Sequence, residues 1–229
     1  MDPYIGILGG VGYKATVYAY EQLNQLYEAL VGKGHTCPVR LLAIDFNEIN
    51  ELLPHGIVKA SEMMAPYFEE LDQQDVIANL LINNTLHEAL DLYALKNPLQ
   101  KPIGHVGILL REKLTEIKAS KVMIIGSKYT MNAHYLPGFV PEGIQVIKSS
   151  EKLQDQVDEL RKVFYERKDE TLAKDCYQQL VNQNPGVDHF IVACTELSIA
   201  FAPYVHNGRI VDTIDLQCEF AIRQLISFT

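Results

Sequence analysis

The 229-residue chain lacks a long apolar run and any pattern of metal-ligating side chains. No hydrophobic stretch approaches the roughly 20 residues of a membrane-spanning helix, so we expect no membrane insertion. Residues 1–20 lack a basic segment followed by a long apolar one, so we expect no secretory signal and a cytoplasmic location. The seven histidines are scattered and show no metal-ligand spacing, which predicts no metal site.

Cysteine and positive charge are also scarce. The formal net charge is −9, which opposes broad contact with phosphate backbones, so nucleic acid is not an expected partner. There are four widely spaced cysteines and no C-x-x-C pair, a pattern that predicts free thiols in a reducing compartment. They are Cys37, Cys176, Cys194 and Cys218.

Short β-rich runs alternate along the chain with longer amphipathic segments. The runs predict strands at 4–8, 39–44, 76–82, 121–126, 144–148, 189–193 and 209–212. The amphipathic segments predict helices at 17–30, 58–71, 152–165 and 172–181. Alternating helices and strands that are apolar on both faces predict an α/β fold of mainly parallel sheets flanked by helices.

The two halves of the chain repeat one arrangement. A strand ends in small residues at 9–10 in the first half and at 126–127 in the second. A later buried strand in each half ends in a small polar loop, at 83–85 and at 194–196. Because loops at the carboxyl ends of parallel strands line ligand crevices, we expect all four to face one cleft.

Prolines and glycine at 98–105 indicate the break between the halves. We therefore predict a first lobe of residues 1–104 plus 208–229 and a second lobe of residues 105–207. The last helix, 215–228, is expected to return to the first lobe.

The stretch 4–16, YIGILGGVGYKAT, contains a weak dinucleotide-binding pattern, Gly10-x-Gly12-x-x-Ala15. The acidic residue that such a unit needs about 20 residues later is absent, since Asp45 follows Gly12 by 33. NAD is therefore not expected. Two alternatives stay open: a tight turn without a ligand, and the favoured one, a cradle of backbone amides that binds a carboxylate or a phosphate.

Cys194 follows the apolar run 189–193 and precedes a short predicted helix. Amides and the helix dipole favour a thiolate there, so we expect a pKa below the usual value of about 8.5 and a usable base. The alternative is an inert, buried thiol. The other cysteines lie within predicted helices or in a loop.

Four stretches, in this order, resemble the cofactor-independent aspartate/glutamate racemases of the Asp/Glu/hydantoin racemase superfamily. IGILGGVGYKAT resembles the family's IGILGGMGPxAT, INNTLH its CNTxH, GSKYT (126–130) its GTxxT, and ACTEL its GCTEL. The resemblance covers essentially the whole chain. It implies two pseudosymmetric α/β lobes with the active site in the cleft between them, no cofactor, and a homodimer.

The resemblance also implies a PLP-independent amino-acid racemase, in which two cysteines on opposite sides of the substrate α-carbon remove and return a proton. Cys194 matches the second of these cysteines. The expected substrate is a small amino acid or related carboxylate. The residues expected to bind it are Gly9, Gly10, Asn84, Thr85, Ser127, Thr130 and Thr195.

Asn83 stands where the family has its first cysteine. An amide is no general base near neutral pH, although it forms hydrogen bonds, so we expect Asn83 to act on the opposite face, itself or through a water. The segment 44–50 also lacks the Pro-x-x-Arg pattern of aspartate-specific members, which leaves the substrate open.

Three further residues have more than one interpretation. A basic residue near Lys168 is expected in place of a family lysine. His87 either orients the substrate or is a satisfied core or capping histidine. Glu196 is interpreted as a first-turn charge that complements a helix dipole, outside the primary site.

Two other functions remain open. The same superfamily includes a malonate-type decarboxylase in which one cysteine protonates an enediolate, and Asn83 is compatible with such a single-cysteine enzyme. The third alternative is a catalytically impaired carboxylate-binding protein.

Overall fold

The computed structural model describes residues 3–53 and 55–228, and the chain divides into two compact units. The first unit consists of Met1–Val106 with Ile214–Thr229, and the second of Gly107–Thr213. Residues 208–213, which the sequence analysis placed in the first lobe, lie in the second unit because 210–212 pair with its sheet, whereas residues 105–106 lie in the first unit.

The first unit contains a three-stranded parallel sheet in the order β2-β1-β3. Its strands are β1 (Ile5–Gly9), β2 (Val39–Ala43) and β3 (Ala78–Leu81). The central strand β1 is buried along its whole length, with Leu8 paired to Leu81. β2 is an edge strand, and Arg40 and Leu41 are exposed. The expectation that every strand is covered on both faces is therefore wrong for β2.

The second unit contains a four-stranded parallel sheet in the order β5-β4-β6-β7. Its strands are β4 (Lys121–Ile125), β5 (Gln145–Val146), β6 (His189–Val192) and β7 (Ile210–Asp212). All seven strands expected from the sequence are present. β5 is shorter than expected because this edge strand pairs with β4 at two positions.

Ten helices connect the strands in the described residues. They are α1 (Tyr13–Val31), α2 (Asn47–Asn50), α3 (Ile57–Gln73), α4 (Leu86–Ala94), α5 (Val106–Glu116), α6 (Lys128–Asn132), α7 (Glu151–Arg167), α8 (Glu170–Gln183), α9 (Thr195–Phe201) and α10 (Thr213–Phe228). The sequence analysis gave bounds for α1, α3, α7, α8 and α10 only. The α/β fold with two parallel sheets flanked by helices is confirmed.

Each unit has its own apolar core. In the first, Met64 and Phe68 of α3 pack with Leu81 of β3 and Leu90 of α4. In the second, α7, α8 and α9 contribute side chains that pack with those of β4 and β6. In the part of the chain that the structure describes, no helix combines the length and the apolar character needed to cross a membrane.

The last helix, α10, is tied to the first unit by hydrogen bonds. The Gln217 amide Nε2 donates to the carbonyl of Leu81, at 3.0 Å, and to that of Gly104, at 2.9 Å. The Cys218 thiol donates to the carbonyl of Ala19 on α1 at 3.6 Å. The bond to Leu81 joins α10 to the carboxyl end of β3, close in sequence to the 83–85 loop.

The turn between β1 and α1 needs glycine for two different reasons. Gly10 and Gly12 both have left-handed backbones, with φ of 85° and 83°. A Cβ on Gly10 would collide with the carbonyl oxygen of Ile44 and lie 2.7 Å from its nitrogen. A Cβ on Gly12 would meet nothing within 4 Å. Gly10 therefore permits a close backbone approach, whereas Gly12 only permits the backbone angle.

These two glycines form a matched pair for mutation. Gly12→Ala should destabilise the protein by about 1–2 kcal/mol, the cost of a left-handed alanine. Gly10→Ala should cost about 3 kcal/mol or more, because it adds a clash with backbone to the same strain. Urea unfolding of both variants checks this, and equal losses would contradict the close approach at Ile44.

Candidate functional site

Parallel pairing brings two candidate loops together in the second unit. Ile125 of β4 pairs with Val192 of β6, and the Ala193 amide donates to the Ile125 carbonyl at 2.8 Å. A Cβ on Gly126 would lie 3.2 Å from the Ala193 carbonyl oxygen. Segments 126–130 and 193–196 are therefore neighbours at the carboxyl edge of this sheet.

Ser127 and Thr130 form a fixed pair of hydroxyls at the start of α6. The Ser127 Oγ accepts a hydrogen bond from the Thr130 amide at 3.2 Å, which caps the helix. The two side-chain oxygens lie 2.9 Å apart. Both residues are partly exposed, so the pair is accessible to a ligand.

Cys194 stands between β6 and α9, and its partner is Glu196. The thiol donates to the Glu196 Oε2 at 2.9 Å, and the Thr195 hydroxyl donates to the same oxygen at 3.3 Å. Cys194 is 9% exposed. The sequence analysis set Glu196 aside as a helix-dipole charge, but its carboxylate contacts the thiol directly.

The prediction of a lowered pKa for Cys194 is wrong. Burial, followed by the charge of Glu196 and the hydrogen bond to it, raises the pKa of the thiol well above its usual value. The backbone amide of Glu196 and the charge of Arg161 oppose this rise, but they do not reverse it. Cys194 therefore rests as a protonated thiol that can donate a proton before it can accept one.

Arg161 is a charged residue of α7 that the sequence analysis did not identify. Its Nε and Nη2 donate to the Asp158 Oδ1 at 3.2 and 3.1 Å. The other Asp158 oxygen lies 2.7 Å from the Lys162 Nζ. The side chains of Arg161 and Asp158 are 26% and 15% exposed, so Asp158 holds a partly shielded guanidinium in place.

Arg161 also interacts with the thiol and its partner. Burial acts to lower the pKa of Arg161, but the charges of Cys194, Asp158 and Glu196 outweigh burial and raise it. The same attraction opposes the raised pKa of Cys194. Arg161 therefore favours a thiolate at Cys194, against burial and Glu196.

The expected role of Lys168 in place of a family lysine stays a prediction. Lys168 ends α7 with a left-handed backbone, φ 49°, and is exposed. The basic residue that interacts with Cys194 is Arg161, seven positions earlier. The sequence signal for Arg161 was the Asp158-x-x-Arg161 spacing beside the buried face that includes Leu160.

In the first unit the loops after β1 and β3 are also neighbours. Leu8 pairs with Leu81, and the Ile82 amide donates to the Leu8 carbonyl at 3.1 Å. The Gly10 amide donates to the Thr16 hydroxyl at 3.0 Å. That amide is therefore already engaged in the turn, and a substrate-binding role for Gly10 stays a prediction.

Asn83 caps the helix that follows it. Its side-chain Oδ1 accepts a hydrogen bond from the Leu86 amide at 3.0 Å. Its own amide donates to the Leu81 carbonyl at 2.9 Å, which bends the chain away from β3. The carbonyls of Asn84 and Thr85 accept from the next two amides of the turn, each at 3.3 Å.

His87 belongs to the core rather than to an accessible site. It is completely buried, with Nε2 3.1 Å from the Leu81 oxygen and 2.9 Å from the Gln217 Nε2. Burial, together with the nearby His105, lowers the pKa of His87 to about 3. A neutral imidazole in this position supports the structural interpretation.

The structure thus brings the predicted site residues together in two groups, one in each unit. The first group comprises Gly9, Gly10, Asn83, Asn84 and Thr85, and the second Ser127, Thr130, Cys194 and Thr195. Among residues 3–53 and 55–228, no three His, Cys, Asp or Glu side chains form a group that could hold a metal ion.

The charges around Cys194 can be tested by alkylation. In the wild type, iodoacetamide should modify Cys194 at a rate that still rises above pH 9, because the reactive form is the thiolate. Glu196→Gln should lower the pKa and speed the reaction at pH 8 about tenfold, if one pKa unit is recovered. Arg161→Met should slow it. Peptide mass mapping of Cys194 across pH measures both effects.

Lys162→Met is the matched control. It removes the same charge from the next residue and another partner of Asp158, but Lys162 is not a cause of the Cys194 shift. Its pH profile should match that of the wild type. An unchanged profile in Glu196→Gln would show that Glu196 does not control the thiol.

Three solved structures share the fold over nearly the whole chain. An aspartate racemase homologue from Pyrococcus horikoshii OT3 matches with a TM-score of 0.82 at 18% identity, covering 99% of this chain and 100% of that chain. The Picrophilus torridus aspartate racemase matches with a TM-score of 0.78 at 16% identity, covering 97% and 94%. A glycine-to-cysteine mutant of arylmalonate decarboxylase matches with a TM-score of 0.59 at 14% identity, covering 99% and 95%.

At these identities the structural likeness concerns the fold alone. The sequence match establishes the family as well as the fold, because the Asp/Glu/hydantoin racemase family model matches residues 8–221. That range includes every residue of the two groups described above. The chain belongs to the Asp/Glu/hydantoin racemase family.

Proposed function

We propose that this protein is a cofactor-independent enzyme that transfers a proton at the α-carbon of a small carboxylate, with Cys194 as the proton carrier. The first candidate reaction is racemisation of an amino acid of the aspartate or glutamate type. The observation that carries the proposal is the 2.9 Å hydrogen bond from the Cys194 thiol to Glu196. It gives the thiol a carboxylate with which to exchange its proton.

The proposed substrate contacts follow from the charge that the reaction generates. When the α-hydrogen leaves as a proton, the electron pair delocalises onto the carboxylate oxygens, and hydrogen-bond donors must stabilise it there. The hydroxyls of Ser127, Thr130 and Thr195 are such donors. In the first unit, the proposed carboxylate-binding residues are Gly9, Gly10, Asn84 and Thr85.

In the proposed racemase cycle, Glu196 accepts the thiol proton and Arg161 favours the resulting thiolate. The thiolate then removes the α-proton, and a proton returns to the carbanion from the opposite face. Asn83 occupies the family's position for that second step, where it acts itself or through a water. Racemisation needs a proton carrier on each face, because the proton removed from one face of the α-carbon must be returned to the other.

A malonate-type decarboxylation is the second candidate, and the raised pKa of Cys194 favours it. Loss of CO2 breaks a carbon–carbon bond and leaves the electron pair on the α-carbon, so no base is required. A protonated thiol then supplies the one proton that the product needs. The third alternative, a carboxylate-binding protein without turnover, predicts ligand-dependent melting and no reaction.

Two further predictions have different origins: the family resemblance implies a homodimer, and the cysteine pattern indicates a reducing, cytoplasmic compartment. A homodimer and a cytoplasmic location remain predictions. The substrate class is an amino acid or related carboxylate, and the absence of Pro-x-x-Arg in 44–50 leaves its side chain open.

Replacement of Asn83 and Cys194 separates these candidates. If racemisation is limited by the missing cysteine, Asn83→Cys should raise its rate by up to about 10²–10⁴-fold, the usual contribution of a positioned base. Cys194→Ser should nearly abolish activity in either background. Initial rates in both directions by circular dichroism, with deuterium incorporation measured in parallel, check the wild type and the three variants.

The same variants should be assayed with aspartate, glutamate and an arylmalonate. Asn83→Cys also loses a helix cap, so its unfolding should be measured alongside, with an expected cost of about 1 kcal/mol. If Asn83→Cys leaves every racemisation rate at background while the wild type releases CO2 from a malonate, racemisation is the wrong candidate. Ligand-dependent melting without turnover would favour the binding protein.

A further inference from the structure

The hydrogen bonds of Asn83 determine which of its two polar atoms is available to a substrate. The Leu86 backbone N–H is a donor, so the side-chain atom 3.0 Å from it must be the carbonyl oxygen Oδ1. The amide nitrogen Nδ2 therefore occupies the other branch of the side chain. Unlike many amide orientations, this one is fixed by the chemistry of its neighbour.

The amide nitrogen of Asn83 is the polar atom of the side chain that remains available to a ligand. Among the described residues, no protein acceptor receives a hydrogen bond from Nδ2. Asn83 is partly exposed and follows Ile82, which hydrogen-bonds to Leu8 at the carboxyl edge of the sheet. The side chain thus offers two N–H donors at this edge, while its oxygen is held by α4.

A donor in this position has a different role from the family's cysteine. Cysteine accepts and returns a proton, whereas the Asn83 N–H groups can only donate hydrogen bonds. Oδ1 already accepts one hydrogen bond from Leu86, and although a second lone pair remains for a water, an amide oxygen is not basic enough to take the proton from it. What an N–H donor does well is stabilise negative charge that develops on an oxygen.

We propose that Asn83 donates a hydrogen bond from Nδ2 to a carboxylate oxygen of the enediolate formed from the substrate. This inference rests on the proposed function and assigns one donor to its intermediate. The donor serves either candidate reaction, because racemisation and decarboxylation both pass through an enediolate.

Each step balances with the residues named. In decarboxylation the bond from the α-carbon to one carboxylate breaks, CO2 leaves, and the electron pair delocalises into an enediolate whose oxygen accepts from Asn83 Nδ2. The S–H bond of Cys194 then breaks as its proton joins the α-carbon, and water reprotonates the thiolate. With an amino acid, the thiolate takes the α-proton, the resulting enediolate oxygen accepts from Asn83 Nδ2, and a proton then returns to the α-carbon.

Two substitutions remove the amide N–H groups but keep an oxygen for the helix cap. Asn83→Asp replaces the N–H groups by a second oxygen. Asn83→Ser is neutral and keeps one hydroxyl donor, but its shorter side chain withdraws that donor from the substrate. Serine oxygens already cap helices in this chain, at Ser127 and Ser150. Both variants should unfold at the same urea concentration as the wild type. Both should lose about 10²-fold in turnover, the usual effect of removing one oxyanion donor.

The control is Asp169→Asn, which exchanges the same two groups at the cap of α8. There the Asp169 Oδ1 accepts from the Leu172 amide at 2.9 Å. This variant should keep the wild-type rates. The probes are L- and D-aspartate, L- and D-glutamate and phenylmalonate, followed in deuterated buffer by proton NMR for exchange and by CO2 release.

Loss of turnover in both Asn83→Asp and Asn83→Ser, with unfolding unchanged, is the expected result. Wild-type turnover in both Asn83→Asp and Asn83→Ser would overturn the donor role while leaving the proposed function intact.

A measurement without turnover separates the two proposals. The side-chain amide signals of Asn83 are those present in the nitrogen–proton correlation spectrum of the wild type and absent from that of Asn83→Asp. They should shift when malonate is added, even if the wild type reacts with no probe and the proposed function fails. If they do not shift, the donor role is wrong whatever the enzyme catalyses.

Discussion

Parallel strand pairing is the constraint on which the candidate site depends. Because parallel strands end at the same edge, pairing β1 with β3 and β4 with β6 places the loops that follow them side by side. All the predicted site residues lie in or beside these four loops. The central strands β1, β4 and β6 are almost wholly buried, so packing of the apolar cores fixes the loops that follow them.

A second constraint is the cost of burying charge near Cys194. A thiol that is mostly removed from water, with a carboxylate 2.9 Å away, is poorly suited to ionise. Arg161 supplies the opposite charge, and Asp158 holds Arg161 on α7. The thiol therefore keeps its proton at rest while a positive charge close by favours its loss during a reaction. This balance suits a group that must both hold and deliver a proton.

The loops after β1 and β3 combine folding with the proposed chemistry. Gly10 allows the chain to pass close to Ile44 and gives its amide hydrogen to Thr16, so its first role is structural. Asn83 ends the loop after β3 by capping α4 with its oxygen. Among the described residues, the same bond leaves its amide nitrogen without a protein acceptor. One helix-capping hydrogen bond therefore decides what chemistry the residue can offer.

The sequence by itself determined the α/β class, all seven strands and the loops that carry the candidate site. These follow from the spacing of apolar residues, from apolar runs and from turn residues, which are local properties of the chain. The sequence also indicated Cys194 and Asn83 through their places in family motifs. It missed Arg161 and predicted the wrong direction for the pKa of Cys194. These depend on burial and on which side chains meet, and only the tertiary structure decided that α7 brings Arg161 into the electrostatic environment of Cys194 and Glu196.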